Sequence, residues 1–443
     1  MNATFRIETF GCQMNKNDSE LMDLSMREQG FIPAEDAENA NIIIFNTCSV
    51  RQHAEQRVIA RLESIRASRA MSGGKIRLVS VAGCMAQRIG PELIERNLAD
   101  MVVGTYHTPR IGMLVRERLL NGAAREILSM SREDFAQRIT PGLIPHEGSP
   151  PWHRWVTISH GCDNDCSYCI VPRVRGTLLS FPSRMIMDHV RALAQCGTRE
   201  VTLLGQNVNQ YGADGGDIPF YRLLAMTAEV PGIERVNFLT SHPRDFNAAI
   251  LDVMRDHPNI SRSIHLPLQS GSDRILSLMN RHYTMADYMR IVDAIARSFD
   301  SYTLTTDLIV GFPSETEEEF MATMDAVSSI RFDEAFTYAY SPRPGTPACD
   351  MREEIPRKEK MDRLRRLIDR QRVVSAERLK EQIGRVEVAI IERTSKKSSS
   401  KVMGRSFLNH IVVVPGTAED IGKTLRIRIE GVAGMTLQGK RIA

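Results

Sequence analysis

The chain carries HGCDNDCSYC at residues 160–169, in which three cysteines are spaced as CxxxCxxC directly after a predicted strand. Soft thiolates gathered in one short loop bind iron–sulfur clusters or zinc. A structural zinc site would need a fourth cysteine or histidine; His160 could serve, but no second CxxC pair follows at the usual spacing. Three ligands on a cubane leave one iron open to a cofactor, so we predict such a cluster on Cys162, Cys166 and Cys169.

The segment that contains this loop alternates six strand patterns with six helical patterns, which predicts parallel strands covered by helices. We expect a partial (β/α)6 barrel over residues 148–376, and a doubly wound sheet is the alternative that the pattern leaves open. The cysteine loop then lies at the carboxyl end of the first strand, where ligand sites of such folds collect. The predicted strands are 155–159, 200–204, 235–239, 263–266, 303–310 and 335–340.

A second set of cysteines lies in residues 1–120, where alternating strands and helices predict an α/β domain with a parallel sheet. Cys12, Cys48 and Cys84 each follow the end of a predicted strand. Taken singly, each could be a buried apolar residue. The carboxyl ends of parallel strands share one edge, and neighbouring strands are ~4.8 Å apart, so the three thiols can converge on one metal centre. We predict a second cluster with one open iron.

The rest of the chain predicts a boundary, a helix and a third domain. Prolines and glycines crowd residues 139–152, which we interpret as a domain boundary. Residues 357–382 form a basic amphipathic stretch typical of a helix. Short strand patterns divided by glycine and Ser/Lys turns then predict a small β-barrel over residues 377–443.

Composition restricts the class of protein. The 443 residues have 42% hydrophobic content and a net charge of only +3, so any binding of nucleic acid must use a local basic surface. We find neither an apolar run of bilayer length nor a signal-peptide pattern, and we expect a cytoplasmic protein with no membrane partner. In that compartment eight cysteines favour metal binding over disulfides.

These motifs together resemble the radical-SAM methylthiotransferases, most closely the branch that modifies isopentenylated adenosine in tRNA. The resemblance covers nearly the whole chain, with a C-terminal module like the TRAM domain, and departs at Arg173, where the family usually has an aromatic residue. It rests on FGCQMN (10–15), NTCSVR (46–51), GCMAQ (83–87), LGQNVN (204–209), HLPLQSGS (265–272), DLIVGFP (307–313) and SPRPGT (341–346).

The resemblance implies a reaction and its cofactors. A methylthio group replaces the C2 hydrogen of N6-(dimethylallyl)adenosine at position 37, beside the anticodon of tRNA. Two 4Fe-4S clusters and S-adenosylmethionine take part: one cluster generates a 5′-deoxyadenosyl radical, and the other holds the sulfur. The implied partners are the tRNA anticodon stem-loop and a low-potential electron donor of the flavodoxin or ferredoxin type, and we expect a monomer. An aromatic C–H has no useful acidity, which explains why a cofactor must do this step.

The resemblance also implies roles for individual residues. The six cysteines are the expected metal ligands and catalytic residues. Residues expected to bind the cofactor are Tyr168, Gly205, Gln206, Asn207, Gln269, Ser270 and Asp307. Residues expected to bind RNA are Arg175, Lys396, Lys397, Lys401 and Arg405.

Two alternatives stay open at this point. A methylthiotransferase acting on threonylcarbamoyladenosine of tRNA, or on an aspartate of a ribosomal protein, would share the same cysteines. A non-catalytic iron–sulfur protein that binds RNA would explain the cysteines and the basic tail, but not the motifs at 204–209 and 265–272.

Overall fold

The computed structural model describes residues 3–49, 52–71, 75–130, 152–352, 355–396 and 398–442. It confirms the mixed α/β class, with an N-terminal parallel sheet, a partial barrel of parallel strands and a closed C-terminal barrel. Among these residues, none of the helices is both long enough and apolar enough to cross a bilayer.

The N-terminal domain is one parallel sheet with the strand order β2-β1-β3-β4-β5-β6. The central strands β3 and β4 are buried at every residue, because helices cover both faces of the sheet. The strands are β1 (Thr4–Phe10), β2 (Ile32–Pro33), β3 (Ile42–Thr47), β4 (Leu78–Gly83), β5 (Met101–Val103) and β6 (Glu126–Ile127). The helices are α1 (Gln13–Glu28), α2 (Gln52–Met71), α3 (Cys84–Glu95) and α4 (Ile111–Asn121).

The middle domain holds six parallel strands in two sheets, β7-β10-β11 and β12-β13-β14, joined by a bridge between Val236 and Ile260. Within the described ranges β7 and β14 do not pair, so the barrel is partial, as predicted. The six parallel strands are β7 (His153–Thr157), β10 (Glu200–Leu204), β11 (Arg235–Leu239), β12 (Ser263–His265), β13 (Thr303–Val310) and β14 (Glu334–Ala339). The short strands β8 (Ser159–His160) and β9 (Leu179–Ser180) form a separate antiparallel pair. The helices are α5 (Val171–Arg175), α6 (Ser183–Gln195), α7 (Phe220–Ala228), α8 (Ala249–Asp256), α9 (Asp273–Leu278), α10 (Met285–Ser298) and α11 (Glu317–Ile330).

The two faces of the middle strands differ. On β13, Leu304 and Leu308 are buried in the main hydrophobic core together with residues of the covering helices. The opposite face carries Asp307, which is paired in register with Phe336 of β14. Phe336 is 41% exposed, so an apolar ring lies open on the inner face of the partial barrel.

The C-terminal part begins with α12 (Arg357–Lys380), and the predicted domain boundary at residues 376/377 falls inside this helix. The predicted β-barrel is present and closed, with the order β15-β16-β17-β19-β18. The predicted break at 139–152 lies outside the described residues, apart from Trp152. The strands are β15 (Val386–Ser395), β16 (Ser398–Ser406), β17 (Ile411–Pro415), β18 (Thr424–Ala433) and β19 (Thr436–Arg441).

Candidate functional site

The CxxxCxxC loop connects β8 to α5 at the carboxyl end of the partial barrel. Cys162 accepts a hydrogen bond from the backbone N–H of Asn164 at 3.4 Å, and Cys166 accepts one from Arg281 Nη1 at 3.4 Å. Burial raises the pKa of Cys162, and burial together with the neighbouring Cys166 raises the pKa of Cys169 to about 12. A bound cation would favour the deprotonated form of both thiols, because thiols bind metals as thiolates.

Two glycines let this loop fold back closely on itself. Gly161 has φ +75°, and a side chain there would overlap the carbonyl of Thr177. Gly176 has φ +70°, and a side chain there would overlap the hydroxyl of Tyr106. The N-terminal domain thus packs directly against the loop, and Thr105 Oγ1 donates to Val174 O at 2.7 Å.

A carboxylate organises the polar side chains next to the loop. Asp245 accepts a hydrogen bond from Asn207 Nδ2 at 2.6 Å and from Asn164 Nδ2 at 3.1 Å. The side-chain oxygens of both asparagines are buried and have no hydrogen-bond partner among the described residues. Buried polar atoms are normally paired, so these oxygens are suited to a polar ligand beside the cysteines.

Other residues predicted to bind the cofactor lie on the same edge. Gly205 follows β10, and a side chain there would lie 2.7 Å from Ser159 Oγ. Gln206 and Gln269 each have a buried Oε1 without a hydrogen-bond partner in the described part of the chain. Ser270 is fully buried, and its hydroxyl accepts from Ser272 N at 3.2 Å. Amide oxygens around an iron–sulfur loop fit the amino, ribose and base groups of S-adenosylmethionine.

Asp307 and Tyr168, the other two residues predicted to bind the cofactor, have hydrogen-bond partners in the structure. Asp307 is 3.3 Å from His265 Nε2 on the inner face of the barrel and is partly exposed. The Tyr168 hydroxyl accepts from Arg281 Nη1 at 3.4 Å, and burial raises its pKa. The contact of both residues with a cofactor stays a prediction.

The second cysteine set gathers at the edge of the N-terminal sheet. Phe10, Thr47 and Gly83 stand in register on adjacent strands, so the cysteine that follows closely after each emerges at one level. The pKa of Cys12 is lowered to about 6 by a hydrogen bond with Cys48, the charge of Arg175 and N–H groups at the start of α1. These contacts therefore stabilise the thiolate of Cys12, the form that binds iron, whereas burial raises the pKa of Cys84.

Two buried asparagines hold this edge together. Asn15 Oδ1 accepts from the backbone N–H of Cys12 at 3.2 Å, and its Nδ2 donates to Asn46 Oδ1 at 3.0 Å and to Thr47 O at 3.2 Å. Both asparagines are completely buried. They fix the first two strand ends with respect to each other, and so the backbone that carries Cys12 and Cys48.

The two cysteine sets lie next to each other across the domain interface. Cys84 packs against Ile170 and Val174, which directly follow the CxxxCxxC loop. In the described residues no three His, Cys, Asp or Glu side chains are spaced to hold a single metal ion. Each set supplies three thiols, which is the number of protein ligands for a cubane with one open iron.

Arg175, which we predict to bind RNA, lies in the interior of the protein. Its side chain is 4% exposed and is paired with Asp18, and its contact with RNA stays a prediction. Lys396 and Lys401 are exposed on the β15–β16 hairpin, and Arg405 is partly exposed beside Glu392. Lys397 lies outside the described residues.

Sequence reasoning missed two residues of the first site. Arg281, buried, contacts Cys166 and donates to Pro267 O at 3.0 Å. His242 Nε2 is 3.9 Å from Cys166 Sγ, and burial and Arg281 lower its pKa to about 2. The signal for His242 was its position just after β11, at the same edge as the cysteine loop.

A parallel partial barrel whose CxxxCxxC loop faces unpaired polar atoms defines a radical SAM protein. Residues 156–327 match the model of the Radical SAM superfamily, and residues 4–104 match that described as Uncharacterized protein family UPF0004. The chain belongs to the tRNA-2-methylthio-N(6)-dimethylallyladenosine synthase family. It is therefore an enzyme of the radical SAM class, and its cofactors are S-adenosylmethionine and 4Fe-4S clusters.

Relatives with that name match along the whole chain. The protein of Thermoanaerobacter sp. (strain X514) is 39% identical over 100% of this chain and 93% of its own length. That of Syntrophotalea carbinolica is 37% identical over 99% of this chain and 100% of its own. That of Aquifex aeolicus is 36% identical over 99% of both chains.

Solved structures share the fold at low identity. The radical S-adenosylmethionine methyltransferase TsrM from Kitasatospora setae aligns with a TM-score of 0.59 and 14% identity, over 79% of this chain and 75% of that one. The cobalamin-dependent radical enzyme OxsB aligns with a TM-score of 0.51 and 10% identity, over 83% and 56%. These likenesses support the architecture.

Proposed function

We propose that the protein adds a 2-methylthio group to N6-(dimethylallyl)adenosine at the anticodon loop of tRNA. The observation that carries this proposal is the adjacency of the two cysteine sets, with Cys84 against Ile170 and Val174 of the other domain. A single cluster would explain radical chemistry alone, whereas two adjacent clusters fit a reaction that also delivers sulfur. The names of the full-length relatives agree with this substrate.

Different residues would hold the two clusters and S-adenosylmethionine. Cys162, Cys166 and Cys169 would hold one cluster, and Cys12, Cys48 and Cys84 the other. When bound, these clusters and S-adenosylmethionine supply the radical and sulfur chemistry that an unactivated aromatic C–H requires. Residues that would bind and orient S-adenosylmethionine are Asn164, Gly205, Gln206, Asn207, Gln269 and Ser270, with Tyr168 and Asp307 at the border of the site.

The inner face of the barrel is suited to the modified base. Phe336 offers an open apolar ring there, and His265 packs edge-on against it at 5.9 Å between ring centres. Asp307, beside His265, adds an acceptor for a base N–H. An unpaired loop base can be turned out of its stack into such a pocket, with the prenyl group against the ring.

The C-terminal hairpin would hold the RNA backbone. Arg393, Lys396 and Lys401 are exposed on it, and cations on an open strand pair phosphates without requiring a base sequence. Lys397 and Arg405 complete the set in the sequence. We further infer that the protein is a monomer that works in the cytoplasm, and that a flavodoxin or ferredoxin reduces it.

The test is mass spectrometry of tRNA nucleosides from a strain that lacks the protein, complemented with the parent chain, Cys84→Ala or Cys196→Ala. Cys196 is an exposed thiol at the end of α6 and serves as the matched control. We expect the parent and Cys196→Ala to restore the methylthio adduct of isopentenyladenosine, and Cys84→Ala to leave it unmodified. Restoration by Cys84→Ala, or a change only in threonylcarbamoyladenosine or in a ribosomal protein, would overturn the proposal.

A further inference from the structure

Arg175 crosses from the middle domain into the N-terminal domain. It ends α5, six residues after the last cysteine of the CxxxCxxC loop, yet its side chain reaches the other cysteine set. Nε donates to Cys84 Sγ at 3.3 Å, and Nη2 donates to Asp18 Oδ2 at 2.8 Å. The buried guanidinium also acts electrostatically on Cys12.

The third nitrogen of this guanidinium is left unpaired by the described part of the chain. Nη1 of Arg175 is buried and makes no hydrogen bond to any described residue. A buried charged donor without an acceptor is costly, so such groups normally meet a ligand or an ordered water. The neighbours of this guanidinium include two of the three thiols assigned to the second cluster, so a ligand held by those thiols lies within its surroundings.

We propose that Arg175 is a positioning residue of the Cys12/Cys48/Cys84 cluster, orienting Cys84 through Nε and donating through Nη1 to a sulfur of the bound cluster. The inference rests on the proposed function only in requiring that these thiols hold a cluster. Reduction adds negative charge to a cluster, and a fixed cation with N–H donors stabilises the reduced form. Arg175 therefore raises the reduction potential of this cluster.

Asp18 allows a second test, because changing it should shift the reduction potential of the cluster in the opposite direction. Its carboxylate fixes the guanidinium through Nη2 and partly offsets its positive charge. Replacing Asp18 by asparagine keeps an acceptor of the same shape but removes the negative charge. If Arg175 acts through its field on the cluster, Arg175→Gln lowers the midpoint potential and Asp18→Asn raises it.

The test uses the full chain with Cys162, Cys166 and Cys169 changed to alanine, so that only the second cluster remains. The protein is reconstituted anaerobically, its iron and sulfide are measured, and the cluster is titrated with dithionite while its EPR signal is followed. Arg173→Gln is the matched control, since Arg173 is exposed on the same helix. We expect about four irons per chain in the parent.

Against that parent, we expect a more negative midpoint for Arg175→Gln, a less negative one for Asp18→Asn, and no shift for Arg173→Gln. Arg175→Lys keeps the charge without the planar fork and should fall between the parent and Arg175→Gln. Unchanged potentials in loaded Arg175→Gln and Asp18→Asn overturn the inference. Should Arg175→Gln fail to load iron, Asp18→Asn alone decides by the same criterion.

Failure of the proposed function gives a different result. If the parent without the CxxxCxxC cysteines binds no iron, the second cluster does not exist and the proposed function falls first. If the parent binds a cluster and its midpoint potential is the same in Arg175→Gln and Asp18→Asn, only the role of Arg175 is refuted.

Discussion

Arg235 should control how firmly the C-terminal barrel is held on the middle domain. This arginine of β11 is buried, and it pairs with buried Glu200 at 2.6 Å. Its Nη1 also donates to two carbonyls of β16, Arg405 O at 2.9 Å and Ser406 O at 2.7 Å. The change Arg235→Gln removes the cation and leaves Glu200 as a buried, uncompensated charge.

The expected cost follows from these contacts. Breaking a buried ion pair by removing one partner costs about 3–5 kcal/mol. Asn237 Nδ2 still donates to Glu200 at 2.6 Å, so we expect the lower end of that range. A loss of about 3 kcal/mol corresponds to a change of roughly 100-fold in the equilibrium between docked and undocked barrel.

Tryptophan fluorescence can measure this equilibrium. The chain has two tryptophans, and Trp152 lies against Gly422 of the C-terminal barrel, where an added side chain would be 3.2 Å from its ring. In a Trp155→Phe background, the fluorescence of Trp152 during urea titration reports undocking. We expect Arg235→Gln to undock at lower urea than the parent.

Two further variants make this result decisive. Arg255→Gln removes an exposed arginine paired with Asp252 and should cost no more than about 1 kcal/mol. Adding Glu200→Gln to Arg235→Gln removes the stranded charge and should recover part of the loss. A cost for Arg235→Gln no larger than that of the exposed control, or no recovery in the double variant, refutes the reasoning.

Three other predictions follow from the structure. Gly161→Ala should reduce iron from about eight to about four per chain in an iron and sulfide assay, because a side chain there overlaps the Thr177 carbonyl; full iron content would contradict this. Lys401→Glu should weaken tRNA binding, and the plot of log binding constant against log salt concentration should become less steep by ~0.7 per lost phosphate contact. Filter binding at several salt concentrations measures both effects, and an unchanged affinity would show that Lys401 is not part of the RNA surface. The pKa of Glu319 is lowered from 4.5 to about 2, chiefly by Arg274, so its ionised form stabilises the fold above pH 4.5 and this contribution is lost as pH falls towards 2. Glu319→Gln should therefore unfold at lower temperature than the parent at pH 7, and the difference should shrink in acid; a difference independent of pH would contradict the assignment.

The sequence was sufficient for the elements whose pattern is local. Buried strands β3 and β4 read as apolar runs, and the cysteine after each marked the edge where the site forms. The start of helix α3 is harder to predict, because Pro91 normally opens a helix and so favours a start at residue 91. The structure begins it at Cys84 and accommodates the proline by a non-helical residue at Ile89.

Long-range contacts could not be predicted in the same way. The resemblance implied an RNA contact for Arg175, but its partners in the structure, Cys84 and Asp18, are 91 and 157 residues away along the chain. Strand β16 has no clear strand pattern of its own, because its first half is rich in serine and lysine and largely exposed. Its pairing with β15 and β17 decides its structure, and one strand alone does not show its partners.

Thr105 and Tyr106 hold the end of α5, the helix after the CxxxCxxC loop, and this contact has a consequence for how the two domains depend on each other. Tyr106 donates to Arg175 O at 3.2 Å, and Thr105 donates to Val174 O. The N-terminal domain thus supports the helix that follows the CxxxCxxC loop, and Arg175 at the end of this helix contacts Cys84 of the N-terminal domain. If either domain were transferred alone to another protein, its cysteine site would lack the contacts that the other domain supplies. We therefore expect the two domains to have been inherited together.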